Sequence, residues 1–112
     1  MKVGDYIRDE EGMIAKIKKF WVYHNITFIT TDKDTISKDM VVKSSPNIID
    51  LIEENDILKY IYNQKEYVSK VINRGSLMLK VSSDLEISLG VVEIKSILTK
   101  EQFESMEYRI GE

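Results

Sequence analysis

The sequence predicts a mainly β fold with short helices, arranged as two tandem repeats, and three observations predict it. The 112 residues include 16 Ile and 9 Val against the single Ala15, and branched side chains favour half-buried pleated strands over long helices. Apolar and polar residues alternate with a period of two in most segments, most cleanly in Leu77-x-Leu79-x-Val81. The same order of turns and strands then recurs about 51 residues further on.

The repeat is read from residue matches. Gly4-Asp5-Tyr6-Ile7 matches Asn55-Asp56-Ile57-Leu58 at an offset of 51, and residues 13–17 match 67–71 at an offset of 54, so the second copy has a turn three residues longer. The offset of 51 then returns, pairing residues 26–28 with 77–79 and 36–42 with 87–93. The predicted units are residues 1–52, a first β module with a linking helix, and 53–112, a second with a C-terminal helix. In the first, strands over residues 6–8 and 13–20 flank the turn Asp9-Glu10-Glu11-Gly12, where Gly12 can adopt positive φ. Residues 21–31 read as one continuing strand, Asp32-Lys33-Asp34 as a turn, and 35–42 as the next strand. In the second, strands over 56–61 and 67–73 flank Asn63-Gln64-Lys65-Glu66, with a tight turn at Arg74-Gly75. An opening of the form Gly-Asp-Tyr-Ile followed by a hairpin resembles SH3-like and KOW-like modules. The expected architecture is therefore two SH3-like small β-barrel repeats packed together, with a short helix after each.

Two helical segments interrupt this pattern. Ser45 is placed to cap a helix with Pro46 at its first position and Ile48, Ile49, Leu51 and Ile52 on one face. Thr99-Lys100-Glu101-Gln102 has capping-box form, and Phe103, Met106 and Ile110 supply the expected buried stripe of a terminal helix.

Composition narrows the function. With 16 basic and 19 acidic side chains and a net charge of -3, the chain is neither a strongly basic phosphate binder nor an acidic nucleic-acid mimic. No cysteine is present, which excludes disulfide stapling and a cysteine nucleophile. The lone His24 lacks the imidazole and thiolate partners of a zinc site, and no phosphate-cradling glycine motif or nucleophile elbow occurs. Asp32, Asp34, Asp9, Glu10 and Glu11 read as turn residues. The reading is a non-enzyme without a cofactor. Its opening residues lack the apolar core of a signal peptide and no stretch reaches a membrane span, so a soluble, cytoplasmic protein with no membrane partner is expected.

Candidate contact residues fall in two places. Lys16, Lys18 and Lys19 run into Phe20-Trp21-Val22-Tyr23-His24, a basic stretch beside aromatic rings. Strand alternation puts Trp21 and Tyr23 on one face and Phe20 and Val22 on the other. If Phe20 and Val22 are core, Trp21 and Tyr23 form a contact surface for a protein, grip single-stranded nucleic acid, or pack within the fold. The second copy offers Tyr60, Tyr62 and Tyr67. Acidity concentrates late: residues 1–52 carry 8 basic and 8 acidic side chains, residues 53–112 carry 8 and 11. Glu101, Glu104 and Glu107 on the terminal helix make either a solvated face or a surface for a basic groove.

The stretches Val42-Lys43-Ser44-Ser45-Pro46-Asn47-Ile48-Ile49-Asp50-Leu51-Ile52-Glu53 and Ile94-Lys95-Ser96-Ile97-Leu98-Thr99-Lys100-Glu101-Gln102-Phe103-Glu104-Ser105-Met106-Glu107-Tyr108 resemble segments of small accessory proteins of phages, prophages and mobile elements of Gram-positive bacteria. An excess of 13 Lys over 3 Arg fits the same AT-rich origin. Where those relatives continue with Gly-Asp-Tyr-Val-Asn-Gly, this chain has Glu54-Asn55-Asp56-Ile57-Leu58-Lys59. The resemblance implies an inhibitor of host defence that occupies a partner's surface, a CRISPR effector foremost; a monomer or homodimer is expected. A small nucleic-acid-binding module and a protein that sequesters a nucleotide signal are the alternatives.

Overall fold

The computed structural model describes residues 1–76, 78–82, 85–90 and 92–106. The chain divides into two compact units, Met1–Leu51 and Ile52–Glu112, and the described residues form antiparallel sheets with one short α-helix.

The first unit is a five-stranded sheet in the order β4-β3-β2-β1-β5, made of β1 (Tyr6–Asp9), β2 (Ile14–Tyr23), β3 (Ile26–Thr31), β4 (Thr35–Ser37) and β5 (Val41–Ser45). Its long strand β2 serves two partners in succession. The first half pairs with β1, setting Tyr6 opposite Lys16 and Arg8 opposite Ile14; the second pairs with β3, from Ile17 opposite Thr31 to Tyr23 opposite Ile26. Between Ile17 and Lys19 the register slips, leaving Lys18 as an extra residue. Such a bulge bends the strand and inverts its inward phase. Ala15 and Ile17 face inward before it, and Phe20 stands opposite the buried Ile29 after it. Ile7, Ala15, Ile17, Ile29 and Ile36 form the core, with Met13, Met40 and Val41 against it.

Two details differ from the expectation for this unit. Residues 21–31 are not one strand, because His24 and Asn25 at φ 49° and 64° reverse the chain in a two-residue turn. Neither is glycine, which hid the turn, although asparagine tolerates this conformation well. The strand expected over 35–42 is broken by a 3-10 turn at Lys38–Met40, where the Ser37 hydroxyl accepts a bond from the Asp39 N–H at 3.4 Å.

In the second unit β6 (Ile57–Tyr62), β7 (Lys65–Lys70) and β11 (Glu93–Leu98) form one sheet in the order β11-β6-β7. β8 (Asn73–Arg74), β9 (Met78–Ser82) and β10 (Leu85–Ser88) form another, in the order β10-β9-β8. The turn between β6 and β7 is only Asn63-Gln64, at φ 51° and 64°, and the strand expected through residue 73 stops at Lys70 and resumes at Asn73. If β7 and β8 are taken as one strand interrupted at Val71 and Ile72, the order matches that of the first unit. Among the described residues no sheet closes on itself, so each unit is an open arrangement where a small barrel was expected.

The two openings use the same hydrogen bonds. Asp5 N–H donates to the Lys2 carbonyl (3.1 Å) and Ile17 N–H to the Asp5 carbonyl (2.8 Å); Asp56 N–H donates to Glu53 (3.2 Å) and Val71 N–H to Asp56 (2.8 Å). The preceding residue in each takes a left-handed conformation, Gly4 at φ 94° and Asn55 at 74°. Asparagine in the second opening thus takes the left-handed conformation that Gly4 takes in the first.

Both helical segments are short, as the sequence predicts. The first is a 3-10 turn, Ile48–Leu51, entered through Ser45, whose hydroxyl accepts the Asn47 N–H at 3.1 Å. The second is α1 (Lys100–Met106), with a reciprocal capping box in which Thr99 N–H meets Gln102 Oε1 at 3.2 Å and Gln102 N–H meets Thr99 Oγ1 at 3.4 Å. Its expected buried stripe is not buried, because Phe103 and Met106 are exposed. What anchors the helix is its start: Thr99 is buried, and buried Asp56 accepts the Lys100 N–H at 3.0 Å. Ile110 lies outside the described residues.

Candidate functional site

The β2–β3 hairpin carries the candidate surface. The register sets Lys19 opposite Thr30, Trp21 opposite Phe28 and Tyr23 opposite Ile26, and directly opposed residues project from the same face of a sheet. The core-facing side chain Ile29 lies on the other face, so this row points outward. Trp21 stacks on Phe28 with ring centroids 4.6 Å apart and planes 20° from parallel. Its indole N–H donates to Thr30 Oγ1 at 3.0 Å, which satisfies the polar edge and fixes the ring. Tyr23 meets the His24 ring edge-on at 4.1 Å. Trp21 is 39% exposed, Tyr23 61% and Ile26 46%.

The opposite face of this hairpin end is not the core that was the condition for exposing Trp21 and Tyr23. Phe20, opposite the buried Ile29, remains 36% exposed, and Val22, two residues further along β2 toward the turn, is 67% exposed. Trp21 and Tyr23 are therefore exposed for a different reason: this end of the hairpin presents both faces.

The three lysines do not act as one group. Lys19 stands on the Trp21 face and is exposed. Lys18 is the bulge residue. Lys16 is half-buried before the bulge, with Nζ 5.9 Å from the centre of the Tyr6 ring, a weak cation–π contact. Phe28 and Ile26 belong to the surface and were missed in sequence because the turn at His24-Asn25 was not placed. Once it is placed, counting back from the turn pairs residues 21 with 28 and 23 with 26.

The acidic helix face is less uniform than its spacing implied. Glu101 is half-buried in the first turn and Glu104 is exposed, beside a shallow depression lined by Asn55, Ile57, Lys70, Lys100 and Phe103. Lys100 in that lining pairs with Glu53 at 3.2 Å. Glu107 lies outside the described residues. The tyrosines of the second unit are not equivalent exposed rings: Tyr60 is fully buried and bonds Ser69 through its hydroxyl at 3.1 Å, and Tyr62 is half-buried.

No protein-family model, curated protein or solved structure matches the chain. The acidic turns are occupied by backbone. Asp9, itself buried, accepts the N–H groups of Glu11 (2.9 Å) and Met13 (2.8 Å) on Oδ1. Asp32 Oδ1 accepts Lys16 N–H at 2.9 Å, and Asp34 Oδ1 accepts Thr35 N–H at 2.8 Å. Among the described residues no group of three or more His, Cys, Asp or Glu is arranged to hold a metal ion, and no helix is long and apolar enough to cross a membrane. Lys95, on β11, is raised above the ordinary lysine value by its hydrogen bond to Glu93 at 2.8 Å and by the charge of that carboxylate. Both groups are exposed, and water screens the pair.

Proposed function

We propose that this chain is a non-enzymatic protein-binding module and that the outer face of its β2–β3 hairpin is the contact surface. The observation that carries the reading is the exposed Trp21–Phe28 stack, flanked by Tyr23 and Ile26. Aromatic side chains held rigid in the free protein contribute much of the energy at interfaces, since little conformational freedom is lost when they are covered. The SH3-like comparison belongs to the same proposal. It is supported by the strand order β4-β3-β2-β1-β5, by the strand shared between two partners, and by the 3-10 turn before the last strand.

For the partner, the resemblance to phage and mobile-element accessory proteins leads us to infer a host defence component in the bacterial cytoplasm, a CRISPR effector complex in particular, which the chain blocks by occupying its surface. The test is direct. Purified protein added to CRISPR effector complexes of Gram-positive hosts is expected to co-purify with one of them and to suppress its target cleavage. Trp21→Ala is expected to weaken this at least about tenfold, the loss typical of a central aromatic anchor. Absence of both capture and inhibition across those complexes overturns the partner assignment.

A second reading rests on Lys19 standing beside Trp21 on one face: a base could stack on the indole while the ammonium meets a phosphate. Binding of a single-stranded oligonucleotide at low salt, lost on Trp21→Ala and on Lys19→Ala, would favour it over the protein partner.

A further inference from the structure

The hairpin face carries no charge apart from its base. Residues 20–31 contain no charged side chain with His24 neutral, in a chain of which 31% is charged. Within that stretch Trp21, Tyr23, Ile26 and Phe28 share one outward face. The charges resume at the base, with Lys19 one residue pair beyond the Trp21–Phe28 stack.

We propose that in the free protein this face is covered by a second copy of the same chain, the two hairpins meeting face to face about a two-fold axis through the Trp21–Phe28 stacks. A two-fold contact brings a surface onto itself, so charged groups near the axis meet their own kind, and an uncharged patch escapes that repulsion. Three residue pairs form the row, Lys19–Thr30, Trp21–Phe28 and Tyr23–Ile26, and the aromatic stack is the middle one. With the hairpins antiparallel, the base of each lies against the tip of the other. The two Lys19 groups are then held about 13 Å apart along the strands, from four residues of strand rise, beyond a screening length of about 8 Å. The inference deepens the contact-surface reading and rests on it in taking this face as the binding face. A partner protein would displace the second copy, so the free concentration of the chain would set how much of the surface is available.

The experiment is sedimentation equilibrium from low micromolar to several hundred micromolar protein, with emission of Trp21, the sole tryptophan, followed over the same range. The expected result is a mass rising from 13.0 kDa toward twice that value, with a blue shift in step. Tyr23→Lys is expected to weaken association by about 100-fold or more, because symmetry buries the new charge twice. Ile26→Lys, on the same face, is expected to do the same. Val22→Lys, at an exposed position on the opposite face, is expected to leave association unchanged, and circular dichroism of all three checks that the sheet is retained. A constant mass of 13.0 kDa, undiminished association of Tyr23→Lys and Ile26→Lys, or an equal loss in Val22→Lys each overturns the proposal. A monomer that still captures a CRISPR effector through Trp21 overturns the dimer and leaves the contact-surface reading standing. A concentration-dependent dimer that captures no effector supports the dimer and removes the partner assignment.

Discussion

With β7 and β8 counted as one interrupted strand the two units follow one strand order, and they use one opening loop, yet they spend their aromatic residues differently. Each carries a stacked aromatic pair across a hairpin: Trp21 on Phe28 at 4.6 Å in the first, Tyr60 on Tyr67 at 5.6 Å in the second. In the second unit the strand that corresponds to β2 breaks at Val71, which is buried, and the sheet divides in two. There the aromatic pair stands at the same distance from its turn as Trp21 and Phe28 do from theirs, but Tyr60 is in the interior. In the first unit β2 runs unbroken for ten residues, and its far half carries Trp21 and Tyr23 out past the last buried residues of β3 and β4. The continuous β2 thus carries two exposed rings, Trp21 and Tyr23, past the core, whereas of the second pair Tyr60 is in the interior and Tyr67 is 37% exposed.

The openings differ in the same direction. Asp5 is partly exposed and its carboxylate accepts the Lys2 N–H at 3.0 Å. Asp56 is fully buried and accepts both Glu53 N–H at 2.8 Å and Lys100 N–H at 3.0 Å, so it ties the start of α1 to the loop. Removing it leaves two backbone donors without that acceptor. Asp56→Ala is expected to destabilise its unit by about 3 kcal/mol and Asp5→Ala by less than about 1 kcal/mol, measured by hydrogen exchange so that each unit is read separately. Equal losses would remove the distinction.

A second contrast has a smaller effect. Arg8 is buried and its guanidinium donates to the Leu51 carbonyl at 2.9 Å, whereas the matching Lys59 pairs with Glu66 at 3.0 Å on the surface. Arg8→Met is expected to cost about 2 kcal/mol, and Lys59→Ala about 0.5 kcal/mol or less, since exposed ion pairs contribute little. Denaturant unfolding of the two variants checks this, and a larger loss for Lys59→Ala would reverse the comparison.

The smallest effect concerns the two hairpin turns. Gln64 is held at φ 64° and Asn25 at the same value, a conformation glutamine tolerates poorly and asparagine well. Gln64→Gly is expected to raise stability by about 0.5–1 kcal/mol and Asn25→Gly by only a few tenths. Thermal unfolding that ranks the two the other way would show that tertiary contacts, and not the backbone, decide these turns.

Legibility followed the range of the interactions. The capping box at Thr99 and Gln102, the Gly12 turn and the aligned aspartates at 5 and 56 are local, and each is readable where it stands. The shift in offset from 51 to 54 was readable too, and Ile17 and Val71 make matching bonds to their aspartates. The turn in the second unit, however, is the two residues Asn63-Gln64, not the longer one expected, and the extra residues lengthen the hairpin strands instead. The His24-Asn25 turn was not readable, because two left-handed residues without glycine leave no strong signal. With it went the pairing that brings Phe28 under Trp21. The bulge at Lys18 was hidden for a similar reason, since an unpaired residue exists only relative to the strand opposite.

The sequence by itself determined the β character, the recurring order of turns and the absence of charge in residues 20–31, because branched residues, alternation and composition act locally. The tertiary structure decided that Tyr60 goes to the interior while Trp21 and Tyr23 stay exposed. That choice depends on how far each strand reaches past its core, which is set by pairing between residues far apart in the chain.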